Sequence, residues 1–170
     1  MVDDQVERPE EALAVSRGGH WTNLTPGQFG RYCEYLVSME LSAMGACIFR
    51  PEVDESGIDM LVRVTAGVYR EVQVKSLRAP SPYAFAKKSS FVPCDALWMA
   101  FVRLEFGGSP KVYMIPSRDW LSPNSLLNDR PYGPDRKSPS EWGLSVTKKS
   151  AAILETYAID RRIAEFLRPR

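Results

Sequence analysis

Two runs rich in β-branched residues, separated by a short turn, carry polar side chains at positions where a hydrolytic site could form. Residues 57–78 read GIDMLVRVTAGVYREVQVKSLR, a pattern that predicts an antiparallel hairpin turning at 65–68. Alternate side chains of a strand share a face, so Gln73 and Lys75 point to the same side. Asp59 lies near the open end of the predicted hairpin, within reach of both. One acid, one amide oxygen and one ammonium therefore converge on a small volume, as a hydrolytic metal site requires.

The chemistry that suits these three residues is phosphodiester hydrolysis, which needs an activated water, a Lewis acid and a cation near the developing negative charge. Mg²⁺ prefers oxygen ligands and keeps several of its waters, so Asp59 would be its principal ligand and Gln73 an auxiliary one, with Mn²⁺ as a substitute ion. Lys75 would orient or deprotonate the attacking water, or stabilise the transition state. An ordinary surface hairpin with an acid and a lysine on its exposed face is the alternative that the spacing leaves open.

Two glutamates are candidates for the same neighbourhood. Glu71 shares the predicted face of Gln73 but lies about 7 Å further along the strand, which favours a supporting role. Glu34 lies in a helix predicted over residues 25–43, at the border of its apolar stripe. Its carboxylate is either a solvated flank of the helix or a group directed along the sheet toward the hairpin.

The rest of the hydrophobic pattern predicts the sheet and the final helix. Residues 121–142 are rich in Pro, Asn, Ser and Gly and predict an extended loop. A final helix is predicted from about Lys149. The further strands are predicted from apolar runs between turn residues, at 46–50, 95–104, 111–115 and 143–146.

Clusters of cations suggest where a phosphate backbone could bind. After the hairpin the chain mixes rings and cations around Tyr83 and Phe85, which is typical either of a nucleic-acid contact or of a solvated loop. The candidate nucleic-acid-binding residues are Arg78, Lys87, Lys88, Arg136 and Lys137.

Length and composition restrict the class of protein. A chain of 170 residues with 44% hydrophobic residues suits one globular domain, predicted over 23–170 after a flexible arm at 1–22. The net charge of +1 means that any nucleic-acid binding must come from a local patch. Three widely spaced cysteines and one histidine give neither a zinc motif nor a disulfide framework. The sequence contains neither a membrane-spanning run nor a signal peptide, so we expect a cytoplasmic protein.

The order of these residues resembles the PD-(D/E)xK nuclease superfamily. The resemblance rests on Glu34 in an N-terminal helix (GRYCEYLVSMELSAMG), Gly-Ile-Asp opening one strand and Val-Gln-Val-Lys closing the next, and it covers about residues 27–116. It is strongest to the branch with a Gln-x-Lys motif, which includes some group I intron homing endonucleases. The implied fold is α/β with a restriction-endonuclease-like core, a mixed central β-sheet flanked by helices. The implied site has Asp59, Gln73 and Glu34 around the metal and Lys75 as the catalytic lysine.

The resemblance implies a magnesium-dependent endonuclease that hydrolyses phosphodiester bonds of double-stranded DNA. A homo-oligomer is expected by analogy, because a duplex has two strands to cut. The alternative is a catalytically inactive nuclease-fold module that binds nucleic acid or a protein partner. The near-neutral charge and Gln73 favour that alternative, whereas the joint presence of Asp59, Lys75 and Glu34 favours the enzyme.

Overall fold

Two stacked β-sheets and the helices that cover them make up the computed structural model, which describes residues 20–53, 56–105, 108–133 and 138–169. The strands are β1 (Cys47–Phe49), β2 (Met60–Thr65), β3 (Val68–Arg78), β4 (Tyr83–Lys87), β5 (Leu97–Leu104), β6 (Lys111–Pro116), β7 (Leu127–Arg130) and β8 (Glu141–Ser145). The helices are α1 (Pro26–Ala43), α2 (Ala151–Glu155) and α3 (Ile159–Phe166), with short 3-10 helices at His20–Asn23 and Ser117–Leu121.

The larger sheet is mixed, as predicted. Its strand order is β1-β2-β3-β5-β6, in which β3 and β5 are parallel and the other neighbours are antiparallel. Strand β4 leaves this sheet and joins a second, antiparallel sheet of order β4-β8-β7. The predicted α/β fold with a mixed central sheet flanked by helices is confirmed.

Helix α1 begins where the sequence predicts, because Thr25 and Gln28 form a capping box. The Thr25 hydroxyl accepts the Gln28 N–H at 3.3 Å, and the Gln28 side chain accepts the Thr25 N–H at 2.9 Å. Its buried stripe of Phe29, Cys33, Val37 and Leu41 packs on the five-stranded sheet. This packing fixes the height of Glu34 above the sheet.

The predicted hairpin is formed by β2 and β3, with Gly67 in the turn at φ +77°. The two strands differ in length, since β2 has 6 residues and β3 has 11. The paired register ends at Met60 and Val72, after which β3 continues beside β5 alone. The edge of β3 that faces β2 is therefore open beyond Val72, and the candidate site lies there.

Two cores lie on opposite faces of the five-stranded sheet. Helices α1 and α3 cover one face, where the ring centroids of Phe166 and Trp98 are 5.3 Å apart. The second sheet covers part of the other face, where Trp120 and Trp142 are buried. All eight residues of β5 are buried, so this strand is covered on both faces, and the strand predicted from the apolar run at 95–104 is confirmed.

Arg70 joins the C-terminal helix to the hairpin. Its buried guanidinium donates to the carbonyl oxygens of Asp95 and Arg168 at 2.9 Å each and of Phe166 at 3.3 Å. Strand β3, which carries Gln73 and Lys75, is thus held against α3 by one side chain.

The loop predicted over residues 121–142 is wrong, and one of the two alternatives around Phe85 is excluded. The segment 121–142 contains β7 and the start of β8, because Leu127 and Trp142 bury their side chains between the two sheets. The stretch around Phe85 is strand β4 and not a solvated loop. Strands β4 and β7 are too short, at five and four residues, for alternation to stand out in the sequence.

The single C-terminal helix predicted from Lys149 is also wrong, since the segment forms α2 and α3 with a break at Thr156–Ala158. The cause is a tertiary hydrogen bond: the Met114 N–H donates to the Tyr157 carbonyl at 2.8 Å, and Ala158 is extended at φ −51° and ψ 138°. Pairing with β6 competes with helix continuation at this point.

The predicted N-terminal arm lies largely outside the described residues, which begin at His20. Trp21, at its inner end, is buried in the core under α1. In the described part of the chain, no helix is long and apolar enough to cross a lipid bilayer.

Candidate active site

Asp59 lies at the point where β2 ends and β3 continues. Its carboxylate Oδ2 accepts the backbone N–H of Val74 at 2.6 Å, and its own N–H donates to the Val72 carbonyl at 2.9 Å. Beyond the end of β2, the Asp59 side chain therefore accepts a β3 backbone hydrogen bond that a neighbouring strand would otherwise accept. A hydrogen bond from a backbone amide to a carboxylate is charge-assisted, so it fixes this group in the gap between the strands.

Gln73, the neighbour of Val74, is buried with one polar atom unsatisfied. Its side chain is 3% exposed, and its Nε2 donates to the Gly57 carbonyl at 2.6 Å. Its Oε1 has no hydrogen-bond partner among the described residues. A buried acceptor without a partner costs about 1–3 kcal/mol, so this oxygen would gain from a cation. Gly57 is needed here, because it has φ +75° and a β-carbon would lie 2.6 Å from Gln73 Nε2.

Glu34 and Asp59 line the same cleft, which encloses about 110 Å³ between α1 and the start of β2. The Glu34 carboxylate is 17% exposed and forms an ion pair with Arg31 Nη1 at 2.6 Å. Arg50 and Glu52 line the cleft as well. The cleft therefore combines three carboxylates with two guanidiniums.

Sequence reasoning did not find the two arginines of this cleft. Arg31 lies three residues before Glu34 on α1, and this helical spacing is a signal that could have identified it. Arg50 has no such local signal, because its Nη2 donates to the Glu34 carbonyl at 3.0 Å and to the Ser38 hydroxyl at 2.7 Å. Its guanidinium also stacks on Tyr35, 4.4 Å from the ring centroid.

Lys75 lies at the next position of β3 on the same face as Gln73, beside Phe101 of β5. It is half-buried, and no hydrogen bond or ion pair to a described residue holds its ammonium. Helix α1 packs on the opposite face, so Glu34 and Lys75 approach the sheet from its two sides. The open edge at Asp59 is where these two faces meet. That all four side chains share one pocket stays a prediction.

Cys33, the residue before Glu34, is a core residue and not a site residue. It is fully buried, and burial raises the pKa of its thiol to about 11, with the Glu34 carboxylate adding to the rise. A thiol with this pKa is neutral at pH 7, so Cys33 behaves as a small apolar core residue.

The predicted nucleic-acid-binding residues have different surroundings. Arg78 donates to the Leu24 carbonyl at 2.9 Å and stacks on Phe29, so it fastens the start of α1. Lys88 pairs with Asp129 and lies over a tryptophan ring, whereas Lys87 is exposed at the end of β4. Arg136 and Lys137 lie outside the described residues. Their contact with DNA stays a prediction.

The donor atoms that the sequence singles out are of the types that a hard divalent cation binds. Over the described residues, no group of three or more His, Cys, Asp or Glu side chains is placed to hold a metal ion. The candidate set is instead an amide oxygen, Gln73 Oε1, with the carboxylates of Asp59 and Glu34. Mg²⁺ is commonly held by one or two carboxylates while waters complete its coordination. The unsatisfied Gln73 Oε1 is the observation that favours a cation at this position.

Comparison with known proteins identifies the type of fold. No family model matches the chain, and no curated protein does. The mixed sheet flanked by helices matches a nuclease-like fold among solved structures. The structure of a bacterial homing endonuclease, I-Ssp6803I, is similar with a TM-score of 0.50 and 18% sequence identity, over 84% of this chain and 91% of that one.

Proposed function

We propose that this protein is a magnesium-dependent endonuclease that hydrolyses phosphodiester bonds of double-stranded DNA, with a Gln-x-Lys variant of the PD-(D/E)xK site. The observation that carries the proposal is the buried, unsatisfied amide oxygen of Gln73, on the strand whose neighbouring Val74 N–H holds the Asp59 carboxylate. The similarity of the fold to a homing endonuclease supports the nuclease class. The free cysteines agree with a cytoplasmic location.

Each site residue has a role in this proposal. Asp59, Gln73 and Glu34 would hold Mg²⁺ or Mn²⁺, which supplies Lewis acidity when bound. The Val74 N–H keeps the Asp59 carboxylate oriented, and the Gly57 carbonyl does the same for the Gln73 amide. Lys75 would position the attacking water or take its proton.

Arg31 and Arg50 are candidates to bind a phosphate group of the DNA. Both line the cleft that contains Asp59, and Arg31 is the more exposed partner of its ion pair with Glu34. A guanidinium can bind two phosphate oxygens at once. We assign these arginines to the DNA phosphate next to the bond that is cut.

The second candidate is a catalytically inactive module that binds nucleic acid or a protein partner. It is favoured by the ion pair of Glu34 with Arg31, which already neutralises one carboxylate of the cleft. The uncharged Gln73 in place of an acid acts in the same direction. Both functions are compatible with the fold, so only activity separates them.

Incubation of supercoiled plasmid with purified protein tests the proposal. We expect nicked and linear DNA in Mg²⁺ or Mn²⁺, and intact plasmid in EDTA. Linear product that forms without prior accumulation of nicked circles would support a homo-oligomer, because two active sites then act on one duplex. Intact plasmid in both metals would exclude the nuclease and leave the inactive module.

Gln73→Glu is expected to destabilise the metal-free protein and to make its stability depend on Mg²⁺. The introduced carboxylate would face the Gly57 carbonyl, which now accepts a hydrogen bond at 2.6 Å. A lost buried hydrogen bond of this kind costs about 1–3 kcal/mol, and Mg²⁺ would offset the loss by binding the added charge. Thermal unfolding in EDTA and in Mg²⁺ measures both effects.

The pH dependence of this variant follows from the same contact. Burial raises the pKa of a carboxyl group, and its protonated form can donate to the Gly57 carbonyl. The loss of stability caused by the carboxylate is therefore complete above the raised pKa. It decreases as the pH falls from that value and is absent below the unfolded value of about 4.3. Gln28→Glu is the matched control, because glutamate is accepted in a capping box. Equal Mg²⁺ responses in the two variants would contradict a metal site at Gln73.

A further inference from the structure

The outer face of the three-stranded sheet carries an exposed aromatic pair. Along β4, Ala84 and Ala86 point into the core, so Tyr83, Phe85 and Lys87 point outward. Phe85 is 47% exposed, although the opposite face of its strand is buried. The outer face of β4 therefore presents the Phe85 ring to solvent.

The tyrosine of the aromatic pair is held in place by its contacts. The Tyr83 ring lies against Gly143 on the neighbouring strand, where a β-carbon would approach the ring to 2.8 Å. Its hydroxyl donates to Glu141 at 2.6 Å, and burial together with this bond raises the Tyr83 pKa. The Phe85 ring is 6.4 Å from Tyr83 with an interplanar angle of 23°. The two rings therefore lie nearly parallel, with the tyrosine ring held on the sheet.

Cations lie on the same face as the rings. The Arg130 guanidinium is 4.3 Å from the centroid of the Tyr83 ring, and its residue is exposed at the end of β7. Lys87 is exposed two residues after Phe85. The buried carboxylate of Glu141 accepts hydrogen bonds from Tyr83 and Tyr132 and lies 3.9 Å from Arg130. The positive side chains are therefore the more accessible charges on this part of the face.

We propose that this face binds an unpaired segment of a nucleic-acid strand, with one base stacked on Phe85 and the adjoining phosphates at Lys87 and Arg130. The inference rests on the proposed function, of which it specifies the substrate as double-stranded DNA that carries a locally unpaired segment. Stacking on an aromatic side chain tolerates any base and is worth about 1–3 kcal/mol per base. Inside a duplex each base plane is covered by its neighbours, so it cannot stack on the Phe85 ring.

A protein partner fits this face less well. Stable protein interfaces bury about 800 Å² on each side around an apolar centre. Among the described residues of β4, β7 and β8, Phe85 alone is a large apolar side chain with high exposure. One ring flanked by two cations matches the alternation of base and phosphate along a nucleic-acid strand.

The face is close to the candidate active site along the chain. Strand β4 ends at Lys87, and Ser90 follows within the same turn. The Ser90 β-carbon lies 3.5 Å from the position of a β-carbon on Gly57, two residues before Asp59. A groove of about 670 Å³ lined by Ser90 and Ile58 lies at this junction. A strand bound on Phe85 could follow the turn toward Asp59.

Anisotropy of labelled oligonucleotides in EDTA tests the proposal. The probes are a 20-nucleotide single strand and the blunt duplex of the same sequence. Phe85→Ala is expected to weaken binding of the single strand about tenfold, the equivalent of about 1.4 kcal/mol, and to leave duplex binding unchanged. Tyr69→Ala, which removes a ring that is 42% exposed on β3, is the matched control and is expected to change neither. Phe85→Trp should retain binding of the single strand.

Three results would overturn the inference. These are single-strand affinity of Phe85→Ala within twofold of the wild type, an equal loss with Tyr69→Ala, or an equal loss with the blunt duplex. The measurement contains no metal and needs no cleavage. If the plasmid stays intact while Phe85-dependent binding is found, the nuclease proposal fails and the binding face stands. If the plasmid is cut but Phe85→Ala does not weaken binding of the single strand, the binding-face proposal fails and the nuclease proposal stands.

Discussion

Replacing Asp59 with asparagine is expected to lower the metal-dependent cleavage rate about a thousandfold, since a metal ligand contributes several kcal/mol to charge stabilisation in the transition state. The amide oxygen of asparagine can still accept the Val74 N–H that the carboxylate accepts at 2.6 Å. The fold should therefore survive while the negative charge is lost. Single-turnover cleavage in Mg²⁺ measures the effect.

Asp160→Asn is the matched control for Asp59→Asn. Asp160 is exposed in the first turn of α3, on an element that does not line the cleft of Asp59. The Asp160→Asn variant should cleave DNA at the wild-type rate. The rise in melting temperature with Mg²⁺ gives a second readout, expected in the wild type and in the control and absent in Asp59→Asn. A wild-type rate in Asp59→Asn would remove Asp59 from the site and the nuclease proposal with it.

Lys75→Met is expected to reduce the cleavage rate by about 10²–10⁴-fold, the usual contribution of a general acid or base. Methionine keeps most of the apolar stem beside Phe101 and removes the ammonium. No ion pair with a described residue depends on that ammonium, so stability should change little. Single-turnover rates across pH and thermal unfolding measure the two quantities.

The metal response separates Lys75 from Asp59. The Mg²⁺-dependent rise in melting temperature should persist in Lys75→Met, because lysine is not one of the proposed ligands. Lys148→Met, at an exposed position after β8, is the control for the loss of a positive charge. If Lys75→Met loses the metal response together with the rate, its role is structural and not catalytic.

Features that depend on local pattern were predictable from the sequence. Thr25, Pro26 and the spacing of the apolar residues predict helix α1. The alternation around Gly67 predicts the hairpin. Strand β5 is a continuous apolar run. In each of these elements the element type and the buried face follow from the pattern of residues close together in the chain.

Features that depend on distant partners were not predictable. The second sheet pairs β4 with β8 across more than fifty residues, and the break before α3 follows from the bond between Met114 and Tyr157. The same holds for the candidate site. Residue type and order indicate Asp59 and Gln73, but the bonds to Val74 and Gly57 depend on how far β2 and β3 separate.

The close approach of Gly57 to the Gln73 amide has an evolutionary consequence. Any side chain at position 57 would occupy the space that Gln73 Nε2 fills, so the two positions cannot vary independently. Among relatives that keep a long residue at position 73, glycine should persist at position 57, and its loss should accompany a shorter residue at 73. Covariation between these two positions would therefore distinguish sequences that retain this arrangement from those that share only the scaffold.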